Sequence, residues 1–244
     1  MLLEVKDLDI SYGDKLTVTG ASLELDKGEI MSIVGESGSG KTTVIRAIMG
    51  CLPGAGRVSR GSIIFDGKDV LQNTPDEWRK MYGSEMSMIF QDSGNMINPI
   101  RRIGQQFIDY VQAHQPDKSK DQAYKMCCDM LTNVRLPNPE NIMNSYPFEL
   151  SGGMRQRVGI AMAMIFSPKI LLADEPTSAL DVTTQAQIIR QIVDIRNEYG
   201  VAVIMVTHNE AIRNMADHVI KLRDGLVRHN DINTNKISAV DLEW

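Results

Sequence analysis

No stretch of this sequence suggests a membrane span: its apolar run Val158 to Phe166 is nine residues, half of the ~18 that a crossing helix calls for. The opening residues, MLLEVKDLD, lack the unbroken apolar stretch of a secretory signal, because Glu4, Lys6, Asp7 and Asp9 interrupt it. The expectation is a chain that starts in the cytoplasm and meets a membrane only through a partner. Cysteines are few: Cys51, Cys127 and Cys128 show no spacing of the kind that holds zinc or an iron–sulfur cluster. A reduced, cytosolic chain follows, with Cys127 and Cys128 read as packed, inert thiols. Basic excess is also missing. With 26 Lys and Arg against 31 Asp and Glu, net charge −5 and pI near 5.4, the chain is not a generic nucleic-acid binder. Internal repeats and low-complexity tracts are absent. What is present, 43% hydrophobic and 23% charged residues in a length of 244, is the composition of a globular protein with one sizeable core and room for a smaller inserted lobe.

Alternation of Leu3, Val5, Leu8 and Ile10, then Ser22 to Leu25, with turns at Gly13-Asp14 and Asp26-Lys27-Gly28, predicts an antiparallel opening layer. GEIMSIV is an apolar strand ending at Gly35, and KTTVIRAIMGCL repeats Val44, Ile45, Ile48 and Leu52 at helical spacing. GRVSRGSIIFDGKDV reads as a further hairpin turning at Asp66-Gly67. From Asp92 to Ser167 the pattern is helical and less β-branched. After it, KILLADE, TTQAQIIRQIVDIRNEYG and VAVIMVTH read as strand, helix closed by Gly200, and strand. Apolar strands joined by helices predict an α/β fold with a mostly parallel sheet covered on both faces. The organisation expected is a single domain over 1–244, with 1–91 and 168–244 forming the core and its antiparallel β layer, and 92–167 an inserted α-helical subdomain.

The strongest local signal is GESGSGKT, Gly35 to Thr42, which fits G-x-x-x-x-G-K-[ST] between a strand and a helix. Gly35, Gly38 and Gly40, with Glu36, Ser37 and Ser39 between them and Thr43 following, let backbone N–H groups curl around phosphate oxygens at a helix N-terminus. Lys41 then neutralises β- and γ-phosphates and Thr42 is a Mg²⁺ ligand. ILLADE, Ile170 to Glu175, is an apolar strand ending in two acids at a sheet edge. Asp174 is read as holding Mg²⁺ through water, and Glu175 as orienting or deprotonating the water that attacks the γ-phosphate. His208 ends the strand VAVIMVT and can face the same crevice. Gln91, after MSMIF, offers one amide to Mg²⁺ or to that water.

LSGGMRQR, Leu150 to Arg157, decides more. Ser151, Gly152 and Gly153 open a helix and present a hydroxyl, N–H groups and a dipole to an anion, a second phosphate-binding end in one chain. This string resembles the signature motif of ATP-binding cassette (ABC) proteins, and the resemblance runs over nearly the whole chain. It implies a phosphate-loop NTPase core, ATP and Mg²⁺ as ligands, and a head-to-tail dimer in which one subunit's Ser151, Gly152 and Gly153 close over the phosphate loop of a second ATPase subunit, identical or paralogous. It also implies that Tyr12 stacks on adenine, that Gln91 and His208 are the glutamine loop and switch histidine, and that Ser178-Ala179-Leu180-Asp181 is an interfacial loop. Separate membrane subunits are the implied partners, met through a groove beside Gln91 to Gly104 on the inner face of the membrane.

YPFELSGGMRQRVGIAMAMIFSPKILLADEPTSALDVTTQAQI, with Met154 in the signature, is similar to the dipeptide, oligopeptide and nickel importer ATPases, as is MIFQD followed by NPIRRIG. Phe148 stands where that group has His, and the sequence carries no long C-terminal extension. THNEAIRNMADHVIKLRDGLV is more similar to macrolide and lipoprotein exporter ATPases. Import of peptides or nickel is the reading preferred here, export of that second kind is the alternative, and a soluble cassette acting on nucleic acid or ribosomes is the third.

Overall fold

A computed structural model describes residues 1–91, 96–178 and 180–238. The opening alternation becomes β1 (Leu3–Tyr12) and β2 (Lys15–Leu25), antiparallel, with Leu3 opposite Leu25 and Tyr12 opposite Lys15. β2 begins well before the Ser22 to Leu25 run that the alternation marks. Its ladder continues through Gly20, whose N–H donates to the Asp9 carboxylate at 2.7 Å. β4 (Gly56–Phe65) adds to the other side of β1, and two-residue β5 (Lys68–Asp69) folds back on it across the Asp66-Gly67 turn.

The apolar runs become β3 (Ile30–Val34), β6 (Met86–Ile89), β7 (Ile170–Asp174), β8 (Ala202–Thr207) and β9 (His218–Arg223), which lie parallel in the order β9-β3-β8-β7-β6. β10 (Leu226–Ile232) runs antiparallel to β9 and meets β2 where Leu226 faces Thr19. That junction joins the antiparallel layer to the parallel one in a single ten-stranded sheet, β5-β4-β1-β2-β10-β9-β3-β8-β7-β6.

Both faces of the central strands β7 and β8 are buried, which is why ILLA and AVIMV are continuously apolar. Successive side chains point to opposite sides. Ile170, Leu172, Ala202, Ile204 and Val206 therefore share one core with Val44, Ile45 and Ile48 of α1 (Lys41–Ile48). Leu171, Ala173, Val203 and Met205 face the other core, with α6 (Gly152–Met164) and α7 (Val182–Tyr199). Between Ile103 and Met164 run α3 (Ile103–His114), α4 (Lys120–Asn133), α5 (Pro139–Asn144) and then α6. The remaining helices are α2 (Pro75–Met81) and α8 (Glu210–Met215).

Helix ends follow local chemistry. Ser119 and Gln122 form a reciprocal capping box at α4, Asp181 caps α7 by accepting from Thr184 N–H at 3.0 Å, and Gly200 at φ 65° ends α7. Phe107 and Cys127 are fully buried in the core shared by the helices and the sheet. A large apolar side chain such as Phe107 contributes roughly 1.5–3 kcal/mol when fully buried. Burial pushes the Cys127 thiol up to about 12, so it stays protonated and unreactive. α6 packs on both α4 and β6, and through it the helices between 103 and 164 are continuous with the sheet's core. None of the described helices is long and apolar enough to cross a membrane.

Candidate functional site

The parallel strands deliver their functional residues to one edge because each ends there before its side chains leave the core. β3 ends at Val34, β7 at Asp174 and β8 at Thr207, and the residues just after them are Gly35, Glu175 and His208. Gly35, Glu36, Ser37, Gly38, Gly40, Lys41, Thr42, Thr43, Gln91, Glu175 and His208 line one cavity of about 440 Å³, together with Thr17 of β2.

The loop from Gly35 to Gly40 wraps tightly for steric reasons. A Cβ on Gly35 would lie 2.2 Å from the Leu222 carbonyl oxygen and 2.8 Å from Ser39 Oγ. Gly40 has φ 102°, a conformation that side chains resist, and it leads straight into α1. Lys41 is 5% exposed, and its ammonium donates to the Gly35 and Glu36 carbonyls at 2.9 and 2.8 Å. Buried Ser39 Oγ has no hydrogen-bond partner within the protein. Ser39 is the one loop residue that does not line the cavity; the cationic side chain and the start of a helix around that concavity suit a phosphate chain.

Thr42 Oγ1 donates to Asp174 Oδ1 at 2.8 Å, which brings a hydroxyl of α1 and the last residue of β7 to one point. Burial pushes the Asp174 carboxyl above its ordinary value, against the Thr42 hydrogen bond and the Arg46 and Lys41 charges. A hydroxyl and a carboxylate in this arrangement are the hard oxygen donors that Mg²⁺ takes. Next to them, Glu175 Oε2 lies 3.5 Å from Gln91 Nε2 and 3.6 Å from His208 Nδ1. Those separations gather the three at one locus but are too long for firm hydrogen bonds. Glu175 is 21% and His208 68% exposed, so the carboxylate is sheltered while the imidazole reaches outward.

Tyr12 does not line this cavity. It ends β1, half-buried opposite Gly56, so close that a Cβ on Gly56 would lie 2.8 Å from the Tyr12 ring. Nor do Ser151, Gly152 and Gly153. Ser151 caps α6, its Oγ accepting from Met154 N–H at 3.3 Å, and the helix start packs on the segment after β7. Gly152 faces Leu180, and a Cβ on Gly153 would lie 2.7 Å from Thr184 Cγ2. Ser178 donates through both N–H and Oγ to the Glu175 carbonyl at 3.2 Å, and Asp181 begins α7; Ala179 lies outside the described residues. Phe148 is exposed, its ring stacked on Tyr146.

Sequence reasoning passes over two residues at this site. Thr17 carries no motif, and only the junction of β2 with β10, beside the strands that carry the site, brings it to the cavity. Gln156, 5% exposed, donates from Nε2 to the Pro176 carbonyl at 2.8 Å. Its signal was available: a glutamine on the same helical stripe as buried Ile160 and Met164 must find a polar partner inside.

A second, mostly apolar cavity of about 420 Å³ opens between β6, α3 and α6, lined by Met49, Tyr82, Met86, Met88, Met96, Ile97, Tyr110 and Met162 among others. It adjoins the expected partner-facing stretch Gln91 to Gly104, of which 92–95 lie outside the described residues.

Residues 18–178 match the family model described as "ABC transporter". The chain is 43% identical over 232 residues to the oligopeptide transport ATP-binding protein OppD of Bacillus subtilis, covering 93% of this chain and 64% of that protein. To OppD of Escherichia coli it is 42% identical over 229 residues, with 92% and 67% covered. The chain thus spans about two thirds of the length of these curated relatives. Among solved structures, a dimer of the ATP-binding cassette MJ0796 in a post-hydrolysis state bound to ADP and Pi superposes with a TM-score of 0.83 at 27% identity, covering 95% of this chain and 98% of that one.

Proposed function

The chain belongs to the ABC transporter ATP-binding family, and from that premise we propose that it is the ATP-hydrolysing subunit of a transport assembly, held at the inner face of a membrane by separate membrane subunits. The observation that carries this reading is the meeting of Lys41, Thr42, Gln91, Asp174, Glu175 and His208 around one concavity. Lys41 and the loop N–H groups hold the β- and γ-phosphates. Thr42, Gln91 and Asp174 are the residues that would hold Mg²⁺, which when bound neutralises phosphate charge. Glu175 accepts the proton of the attacking water, with Gln91 and His208 keeping that water and the γ-phosphoryl in line. Tyr12, outside that lining, is the proposed stacking ring for the adenine.

Ser151, Gly152 and Gly153 head a helix outside that lining, which supports a composite site closed by a second ATPase subunit, identical or paralogous, placed head to tail. Ser151→Arg is therefore expected to leave nucleotide affinity of the single subunit unchanged and to abolish ATP-driven dimerisation, because the arginine fills the seat of the partner's phosphate. Light scattering with and without ATP checks this; normal dimerisation of the variant would remove Ser151 from the interface.

Peptides are the proposed cargo, supported by the importer-like signature region and by the oligopeptide transport relatives. The apolar cavity beside β6 is the proposed seat of the membrane subunits. Purifying the chain in its native assembly should bring down multi-span subunits, and deleting it should abolish uptake of labelled di- and oligopeptides. Intact peptide uptake with lost export of a macrolide or lipoprotein would move the chain to the exporter reading, and recovery with ribosomes instead would end the transport reading.

A further inference from the structure

Glu175 is held in a backbone conformation that its own sequence resists. Its φ is 46°, a left-handed value uncommon for a residue with a side chain, and it precedes Pro176, whose ring steers the residue before it toward extended backbone. Such a geometry persists where the surroundings over-determine it. Glu175 N–H donates to the Val206 carbonyl at 3.0 Å, and Ser178 donates twice to the Glu175 carbonyl. Both contacts come from the strand and turn next to Glu175. A third comes from another element: Gln156 of α6 donates to the Pro176 carbonyl at 2.8 Å, one residue past Glu175, in a buried setting.

The helix that supplies Gln156 is the one that opens at Ser151, Gly152 and Gly153. Its first turn lies directly against α7, at the Gly153 and Thr184 contact, so the start of α6 cannot press toward α7 without moving it. One helix therefore has its Ser151 start at the outer surface and, a turn and a half further along, an amide on the peptide segment that carries Glu175.

We propose that Gln156 is a positioning residue that transmits the seating of α6's Ser151 end on a partner subunit's nucleotide to the Glu175 carboxylate of its own chain, so that each composite site sets the geometry of the other. This rests on the ATPase reading above. The Gln156 hydrogen bond is already made in the single chain; closure over the partner's phosphate fixes where α6 stands, and with it the Pro176 carbonyl and the Glu175 carboxylate one residue before it.

The test uses the intact assembly, with wild type and Glu175→Gln as references. Gln156→Met, which keeps length and loses the donor, is expected to lower kcat about 100-fold, the scale of a misplaced catalytic group, while KM for ATP and ATP-driven dimerisation stay at wild-type values. Gln156→Glu adds a readout that packing alone would not move. A carboxylate facing the Pro176 carbonyl cannot donate, whereas its protonated form can, and burial favours the protonated form. Its kcat relative to wild type should therefore rise as pH falls from about 8 to about 6, recovering toward the wild-type rate. Wild-type turnover by Gln156→Met, or a Gln156→Glu profile parallel to wild type, overturns the inference; if Gln156→Met does not fold, the pH profile of Gln156→Glu decides alone. If Glu175→Gln is inactive and Gln156→Met is not, only this inference falls. If Glu175→Gln turns over normally, the assignment of Glu175 falls and this inference with it.

Discussion

Replacing Glu175 with glutamine is expected to slow ATP hydrolysis by about 10²–10⁴-fold, the range for removing a positioned general base, and to leave ATP bound. The substitution keeps the shape and the hydrogen-bonding reach of the side chain but removes its ability to take a proton. The backbone at Glu175 is held by its N–H on Val206 O and by Ser178 on its carbonyl, contacts that glutamine retains, so folding is unaffected. Phosphate binding should be preserved because the proposed site holds the phosphates with Lys41 and the Gly35 to Gly40 loop, not with Glu175. Removing a negative charge beside the γ-phosphate also lessens repulsion in the closed state. Since closure precedes chemistry, the variant should accumulate as an ATP-bound dimer. Single-turnover quench measurements with light scattering read both effects, and near-normal turnover would move the base elsewhere.

Lys41→Ala acts one step earlier and should weaken ATP binding by about 100-fold, ~2.7 kcal/mol, within the range for truncating one member of a buried, hydrogen-bonded charge pair. The Lys41 ammonium is anchored by the Gly35 and Glu36 carbonyls, so it stands at the mouth of the loop with its chain buried and its charge in place before nucleotide arrives. Alanine removes the charge and leaves both carbonyls without that donor. α1 keeps its packing through Val44, Ile45 and Ile48, so thermal unfolding should change little while titration with a fluorescent nucleotide shows the loss. Unchanged affinity would take Lys41 out of the phosphate site.

Much of this arrangement is legible without coordinates because it is local. The phosphate loop is a property of consecutive residues: glycines that tolerate tight backbone, then a helix start. The acids that close β7, Asp174 as its last residue and Glu175 just beyond, and the histidine after β8 follow from where apolar runs stop, since the chain leaves a buried strand at the sheet edge. Cap residues at Ser119, Asp181 and Gly200 likewise announce their helix ends. The full length of β2 is less legible, because its ladder with β1 rests on cross-strand partners such as Asp9 on Gly20 rather than on alternation. Thr17 is invisible for the same reason.

The sequence by itself determined the local elements: a strand, a glycine-rich loop, a lysine and a helix set a phosphate-loop geometry through short-range backbone conformation, and LSGGMRQR sets a second exposed helix start capped by Ser151. Only the tertiary structure decided which of these share a site. It brings Gln91, Glu175 and His208 together from three strand ends far apart in the chain, leaves Tyr12 and the head of α6 outside the cavity, and runs Gln156 from the signature helix to the peptide beside Glu175. The physical reason is range. Loop and cap conformations are set by neighbours in sequence, whereas the convergence of side chains on one carboxylate depends on strand order in the sheet and on helix packing across it.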